Sequence, residues 1–419
     1  MSAVQAPVAR VGAGRRRLGL ALLAVWGPGL IVMLADTDAG CLITAAQSGA
    51  KWGYAMVLPQ LVLVPILFMG QEIVVRLGVV TGKGHGVLIR EQFGMGWGAV
   101  SAGTLFVSSV GALLTEFAGV AGVGELFGVS KWVTIPVATL FLLGLALTGS
   151  YRRAERIGIA IGLAELAFVP VMLLAHPSGH QLLQGLGHLP LGHSGYVFLL
   201  AANVGAVVMP WMIFYQQSAI VDKGLPHTAL PAARRDTAVG AVITQGIMVV
   251  VIVAFAAAQV RRTAALNTVG QLANALTPSM GATTTKVLVG AAVLGGALVA
   301  ALVVSLAGSW GISEVLGWRH SLNERVSRNN AKFFVVYGLA HLLGAILVLA
   351  SVNLVNLAVD VEVLNAMLLP IVLGLLLALE ARALPPEHRM RGSYRIVCTG
   401  LCLVVMAFGV SMVPRALGF

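Results

Sequence analysis

The chain has 419 residues, of which 58% are hydrophobic and only 10% are charged. Ordinary soluble domains devote roughly a quarter of their residues to charge, so this balance excludes a soluble protein and specifies a polytopic membrane protein. The formal net charge of +11 sits between apolar runs and sets membrane orientation, which excludes nucleic acid as a partner.

Residues 1–17 are polar and end in Arg15, Arg16 and Arg17. They read as a cytoplasmic N-terminal tail, because the apolar segment that follows is too long for a signal peptide and lacks a cleavage site. Apolar runs of about 18 or more residues mark membrane helices. They fall near 18–50, 53–75, 97–127, 132–149, 157–175, 196–222, 237–259, 286–314, 333–352, 358–380 and 396–414. An odd number of spans puts the N-terminus in the cytoplasm and the C-terminus outside. Of the 27 Lys and Arg, only Lys51, Lys131, Arg261, Arg262, Lys286 and Arg415 then lie outside, as the positive-inside rule requires.

The first span carries Asp36 and Asp38 in its middle, within Leu34-Ala-Asp-Thr-Asp-Ala-Gly-Cys41. An ionised side chain at membrane depth costs roughly 2.5–3.5 kcal/mol on insertion scales, so such a pair marks a functional site. Thr37, Ala39 and Gly40 interrupt the helix-forming pattern around them. The sixth span is interrupted as well, by Gly205 and Pro210 in Asn203-Val-Gly-Ala-Val-Val-Met-Pro-Trp211. Proline lacks the helix donor and clashes with the preceding turn, so the helix is predicted to open before it. Two broken spans five apart predict an inverted repeat with the substrate site between its halves. The repeats are residues 18–175 and 196–380, with 396–414 an additional eleventh span.

Opened helices free backbone carbonyls, and carboxylate oxygens suit hard divalent cations. Met209 and Cys41 stand beside the two breaks, although each residue type is more often apolar packing. Glu116 lies deep enough to line a pathway. Asp360 and Glu362 start the tenth span, where a solvated vestibule and a coordinating role are equally good readings. Glu72 and Arg76 form an i,i+4 pair of structural type. His176, His180, His188 and His193 read as a solvated loop, and Tyr151-Arg-Arg-Ala-Glu-Arg156 as an orientation signal. Cys41, Cys398 and Cys402 all lie in apolar runs and form no disulfide framework. No nucleophile–base constellation, phosphate loop or HExxH motif indicates an enzyme.

Gln47-Ser-Gly-Ala-Lys-Trp-Gly-Tyr54, Arg76-Leu-Gly-Val-Val-Thr-Gly-Lys83, Thr115-Glu-Phe-Ala118 and Gly205-Ala-Val-Val-Met-Pro210 resemble the NRAMP family of divalent-metal transporters. The resemblance implies an all-α LeuT-type fold, with a 5+5 inverted repeat, an eleventh helix, and helices one and six unwound at mid-membrane. The family's Asp-Pro-Gly-Asn motif falls on Asp38-Ala39-Gly40-Cys41, its carbonyl-donating Ala on Ala206 and its metal-binding Met on Met209. The implied metal set is therefore Asp38, Cys41, Ala206 and Met209. Asp36, Thr37, Glu116, Trp211 and Gln216 are candidates for lining the pathway or supporting the ligands.

Trp211 and Gln216 stand where family members carry His, and Gly119 replaces the second acid of the third helix. These departures resemble the NRAMP-related magnesium transporters. Mg²⁺ keeps several waters and binds through one or two carboxylates. The expected substrate is hydrated Mg²⁺, carried inward without protons, and the alternative is a proton-coupled Mn²⁺/Fe²⁺ symporter. No cofactor is implied, because Mg²⁺ or Mn²⁺ is cargo. The partners are the divalent ion and the lipid bilayer, with no obligate protein partner evident.

Overall fold

The computed structural model describes residues 27–258, 266–350 and 357–416. The expected tail 1–17, the start of the first span, the outer Arg261 and Arg262, and the last residues lie outside them. All regular structure among the described residues is helical. The first span is α1 (Pro28–Asp36) and α2 (Ala39–Trp52), separated by a break at Thr37–Asp38. Then follow α3 (Val57–Thr81), α4 (His85–Leu126), α5 (Lys131–Leu147), α6 (Tyr151–Gly162) with α7 (Phe168–Leu174), and a short α8 (Gly179–Leu186). The sixth span is α9 (Ser194–Gly205) and α10 (Pro210–Lys223). The remainder is α11 (Leu230–Ala257), a short α12 (Val269–Met280), α13 (Ala282–Leu316), α14 (Ala331–Ala350), α15 (Leu357–Ala383) and α16 (Gly392–Ala416).

Nine segments among the described residues are long and apolar enough to cross a membrane. Ala39–Thr81 holds two helices joined by a turn, and Lys131–Leu147 is a shorter apolar helix. Boundaries move by a few residues. The largest change is at α4, which begins at His85 and bends at Gly94, whose φ of 87° is the left-handed geometry that glycine alone adopts freely. The short α8 and α12 occupy what read as loops.

The two broken spans form the centre of the molecule. Every residue from Ala39 to Ala50 and from Pro210 to Ile220 is buried. The periphery carries the lipid-facing side chains instead, such as Leu140, Leu339 and Ile396. Inside a bilayer there is little hydrophobic drive between helices, so close packing of small residues holds the bundle together. Gly205 is the clearest case. A Cβ there would stand 1.8 Å from the Glu362 carbonyl, so the absence of a side chain lets α9 lie backbone to backbone on α15.

Candidate metal site between the broken helices

The first break is written in its capping residues. Thr37 (φ −85°, ψ 47°) and Asp38 (φ −67°, ψ 174°) leave helical geometry. Asp38 restarts the helix as the N-cap of α2, its Oδ1 accepting the Cys41 amide at 2.7 Å. Asp is among the strongest N-cap residues because its short carboxylate satisfies a donor that the helix cannot. The second break spans Ala206 to Met209, with Met209 extended at φ −87°, ψ 144°. Pro210 opens α10 at the first helical position, where its missing donor costs nothing and its fixed φ suits the helix.

The two breaks meet. The Cys41 thiol donates to the Ala206 carbonyl at 3.6 Å. Ligand atoms of Asp38, Cys41 and Glu362 all lie within 4.8 Å of one another and are buried. Among the described residues Asp38 Oδ2 has no hydrogen-bond partner. Glu362 Oε2 is held by the Asn365 amide at 3.1 Å, and Asn365 in turn accepts the Ser108 hydroxyl at 2.7 Å. Gly40 keeps the pocket open, since a Cβ there would come within 2.9 Å of Glu362 Oε1. Beside the cluster, Glu116 accepts the Ala39 amide at 3.2 Å and the Thr115 hydroxyl at 3.0 Å.

Electrostatics explain what this arrangement lacks. Asp36, Asp38, Glu116, Glu165 and Glu362 are all buried. Among the described residues no salt bridge from a basic side chain reaches any of them. An unpaired buried ion costs several kcal/mol even after relaxation, so these carboxylates call for a cation or for protons. The bare Asp38 oxygen beside Glu362 is where a cation gains most.

Asp38, Cys41 and Ala206 thus come together. Met209 is fully buried at the head of α10. Asp36 and Thr37 flank the break on its other side, where Gln245 donates to Asp36 Oδ2 at 3.3 Å. Trp211 is buried, and its indole N–H has no partner among the described residues. Gln216 turns to the Thr237 hydroxyl of α11 at 2.7 Å. Of the two acids that open α15, Asp360 is exposed and Glu362 joins the cluster. Its Asn365, one helical turn on, was the sequence signal available. The four loop histidines are exposed. Glu72 and Arg76 pair at 2.8 Å, and Arg234 joins them.

A cavity of about 170 Å³, lined by Lys131, Glu125, Asn267 and Ile43 among others, reaches Thr115 and Gly119 on the turns that flank Glu116. Of its lining, Lys131 belongs to the end of the bundle expected to be outer. Toward the opposite face, Lys223 and Glu155 form a buried ion pair at 2.9 Å. There Asp236 also accepts the amides of Gly27 at 3.2 Å and Gly29 at 2.8 Å, which ties the start of α1 to α11.

A family model described as natural resistance-associated macrophage protein-like (Nramp) matches residues 29–414. The divalent metal cation transporter MntH of Verminephrobacter eiseniae is 28% identical over 226 residues, 52% of this chain and 49% of that protein. The MntH of Vibrio campbellii is 28% identical over 79% of this chain and 80% of its own. The metal transporter Nramp1 of rice is 27% identical over 48% and 40%. The chain spans about half the length, or less, of the first curated relatives it matches. Among solved structures, the manganese transporter of Eremococcus coleocola shares the fold at a TM-score of 0.75 and 18% identity, over 98% of this chain and 88% of that one. Mhp1, a nucleobase-cation-symport-1 family transporter, aligns at 0.58 and 13% identity, over 92% and 90%.

Proposed function

The chain belongs to the Nramp family, and on that premise we propose that it moves divalent metal cations across a membrane into the cytoplasm. Mg²⁺ is the favoured ion, carried partly hydrated and without protons. The observation that carries this reading is the buried cluster of Asp38, Cys41 and Glu362 at the meeting of two broken helices. Two carboxylates without a basic partner supply hard anionic oxygens. Cys41 stands in the same cluster with its thiol turned toward the Ala206 carbonyl. That donor set suits Mg²⁺ or Mn²⁺ better than zinc or copper. Mg²⁺ dehydrates reluctantly and is held through one or two carboxylates plus waters, which matches a site with few protein ligands.

Inward movement needs no proton. Two charges crossing about 100 mV gain roughly 4.6 kcal/mol. The residues that would relay a proton are also altered, since Gln216 binds Thr237 and Trp211 cannot titrate.

The second reading is a proton-coupled Mn²⁺ or Fe²⁺ symporter. Met209 at the head of α10 favours it, because a thioether suits softer ions, and Glu116 beside Ala39 could carry a proton. The curated relatives are named for divalent metal, and the aligned Eremococcus protein for manganese. Purified protein in liposomes separates the two readings. Under an inward Mg²⁺ or Mn²⁺ gradient at zero potential, the expected result is metal entry with no internal acidification. Acidification that follows metal entry would replace the first reading by the second.

A further inference from the structure

On the side of the unwound segment away from Glu362 lies a second group of buried oxygens. Glu165, between α6 and α7, has one carboxylate oxygen against the Thr37 hydroxyl. Its other oxygen has no hydrogen-bond partner among the described residues, although the residue is 0% exposed. The Thr37 carbonyl is free of its helical donor, because the Cys41 amide that would reach it is taken by Asp38. Both oxygens face Gly296 of α13. A Cβ there would stand 2.6 Å from the Thr37 carbonyl and 3.1 Å from the bare Glu165 oxygen, so glycine leaves a notch between them. Nearby, Thr244 of α11 faces the buried Asp36 carboxylate.

We propose that Glu165 and the Thr37 carbonyl, at the notch left by Gly296, form a second cation site that holds one monovalent positive charge. The divalent cluster does not include it. An anionic oxygen and a backbone carbonyl are hard donors, and the shared chemistry is that of a proton on Glu165 or a sodium ion between the two oxygens. The charged groups that face Glu165 are Asp36 and Asp38 of the unwound segment. Residues 292–300 of α13 carry no titratable side chain, and α11 brings only Thr244 and Gln245 to Asp36. The Thr37 hydroxyl also lies 3.1 Å from the Leu34 carbonyl, and it has one hydrogen for two acceptors. A positive charge at Glu165 frees that hydrogen for Leu34 and so ties off the end of α1. Because Asp38 is the next residue after Thr37, filling this site raises the local potential at the divalent cluster and weakens divalent binding.

The test is calorimetric titration of Mn²⁺ and Mg²⁺ into detergent-solubilised full-length protein. One arm replaces choline by Na⁺ at constant ionic strength and pH 8; the other varies pH in choline. In the wild type, filling the site is expected to weaken divalent Kd at least about threefold, a modest share of what one charge contributes at this range. Glu165→Gln should bind with the weaker Kd throughout and lose that response. A response to Na⁺ identifies sodium, and a response to pH alone identifies the proton. A wild-type Kd indifferent to both, or a folded Glu165→Gln protein with the wild-type response, overturns the proposal. If Glu165→Gln does not fold, Thr37→Val must shift the midpoint of the response, and an unshifted midpoint also overturns it. Absence of any divalent binding would instead defeat the transport reading. The second site would then be read from a Na⁺- or pH-dependent unfolding temperature that Glu165→Gln loses.

Discussion

The Asp38 side chain commits one oxygen to the Cys41 amide and leaves the other bare in the pocket, so capping and ion binding separate by substitution. Asp38→Asn keeps a good N-cap and removes the charge; Asp38→Ala removes both. Both variants should lose metal uptake by at least about tenfold. Only the alanine variant should also lose stability, by about 1 kcal/mol for the cap. Uptake into liposomes and unfolding temperature measure the two effects, and near-normal uptake by Asp38→Asn would remove Asp38 as the central ligand. Met209→Ala should leave Mg²⁺ uptake largely intact and weaken Mn²⁺ or Cd²⁺ binding in calorimetry. Loss of Mg²⁺ uptake alone would contradict a hydrated ion. Asp38 and Cys41 stand out in the sequence because they sit at an interruption in an otherwise apolar run, whereas Ala206 is named only through the family resemblance. Glu362 was only half legible. Its depth depends on α15 being covered by α9 and α2, and no local pattern in α15 encodes that cover.

At the level of elements, the meeting of the two breaks rests on one glycine. The Gly205→Ala methyl would have to displace the Glu362 carbonyl from 1.8 Å, which neither backbone can accommodate without moving. Overpacking of this kind typically costs about 1–3 kcal/mol. The same shift would carry Ala206 and Glu362 apart, so Gly205→Ala should lower both the unfolding temperature and divalent affinity. A control such as Gly246→Ala, where nothing lies within 4 Å, should leave both near wild type. Equal effects of the two changes would show that α9 and α15 tolerate separation. The sequence signals for these elements were of unequal strength. Pro210 announced the second break by removing a donor, whereas α8 and α12 were invisible to a search for apolar runs. Both are short and flank polar turns, and α12 owes its start to a local capping box between Thr268 and Gln271.

Across the whole molecule, a cavity opens beside Thr115 and Gly119 toward one end of the bundle, and polar contacts join the helix ends toward the other. Of these, the Lys223–Glu155 pair joins α10 to α6, and Asp236 fastens the start of α1 to α11. Those are the two half-helices and two scaffold helices that would have to part for an ion to leave on that side. Removing one partner of a buried pair costs up to roughly 3–5 kcal/mol, and less here because Lys223 also faces Asp236. That cost falls on the sealed state and much less on an opened state that admits water to the remaining charge. Glu155→Gln should therefore shift the population toward opening on the Lys223 face. Hydrogen–deuterium exchange reads this directly: amides of 28–36 and 216–223 should exchange at least about tenfold faster than in the wild type, with α5 and α14 unchanged. The extra exchange should fall again when saturating Mg²⁺ occupies a site that holds the two breaks together. Uniform acceleration across all helices would mean that the pair supports the fold as a whole, and unchanged exchange would mean that it seals nothing.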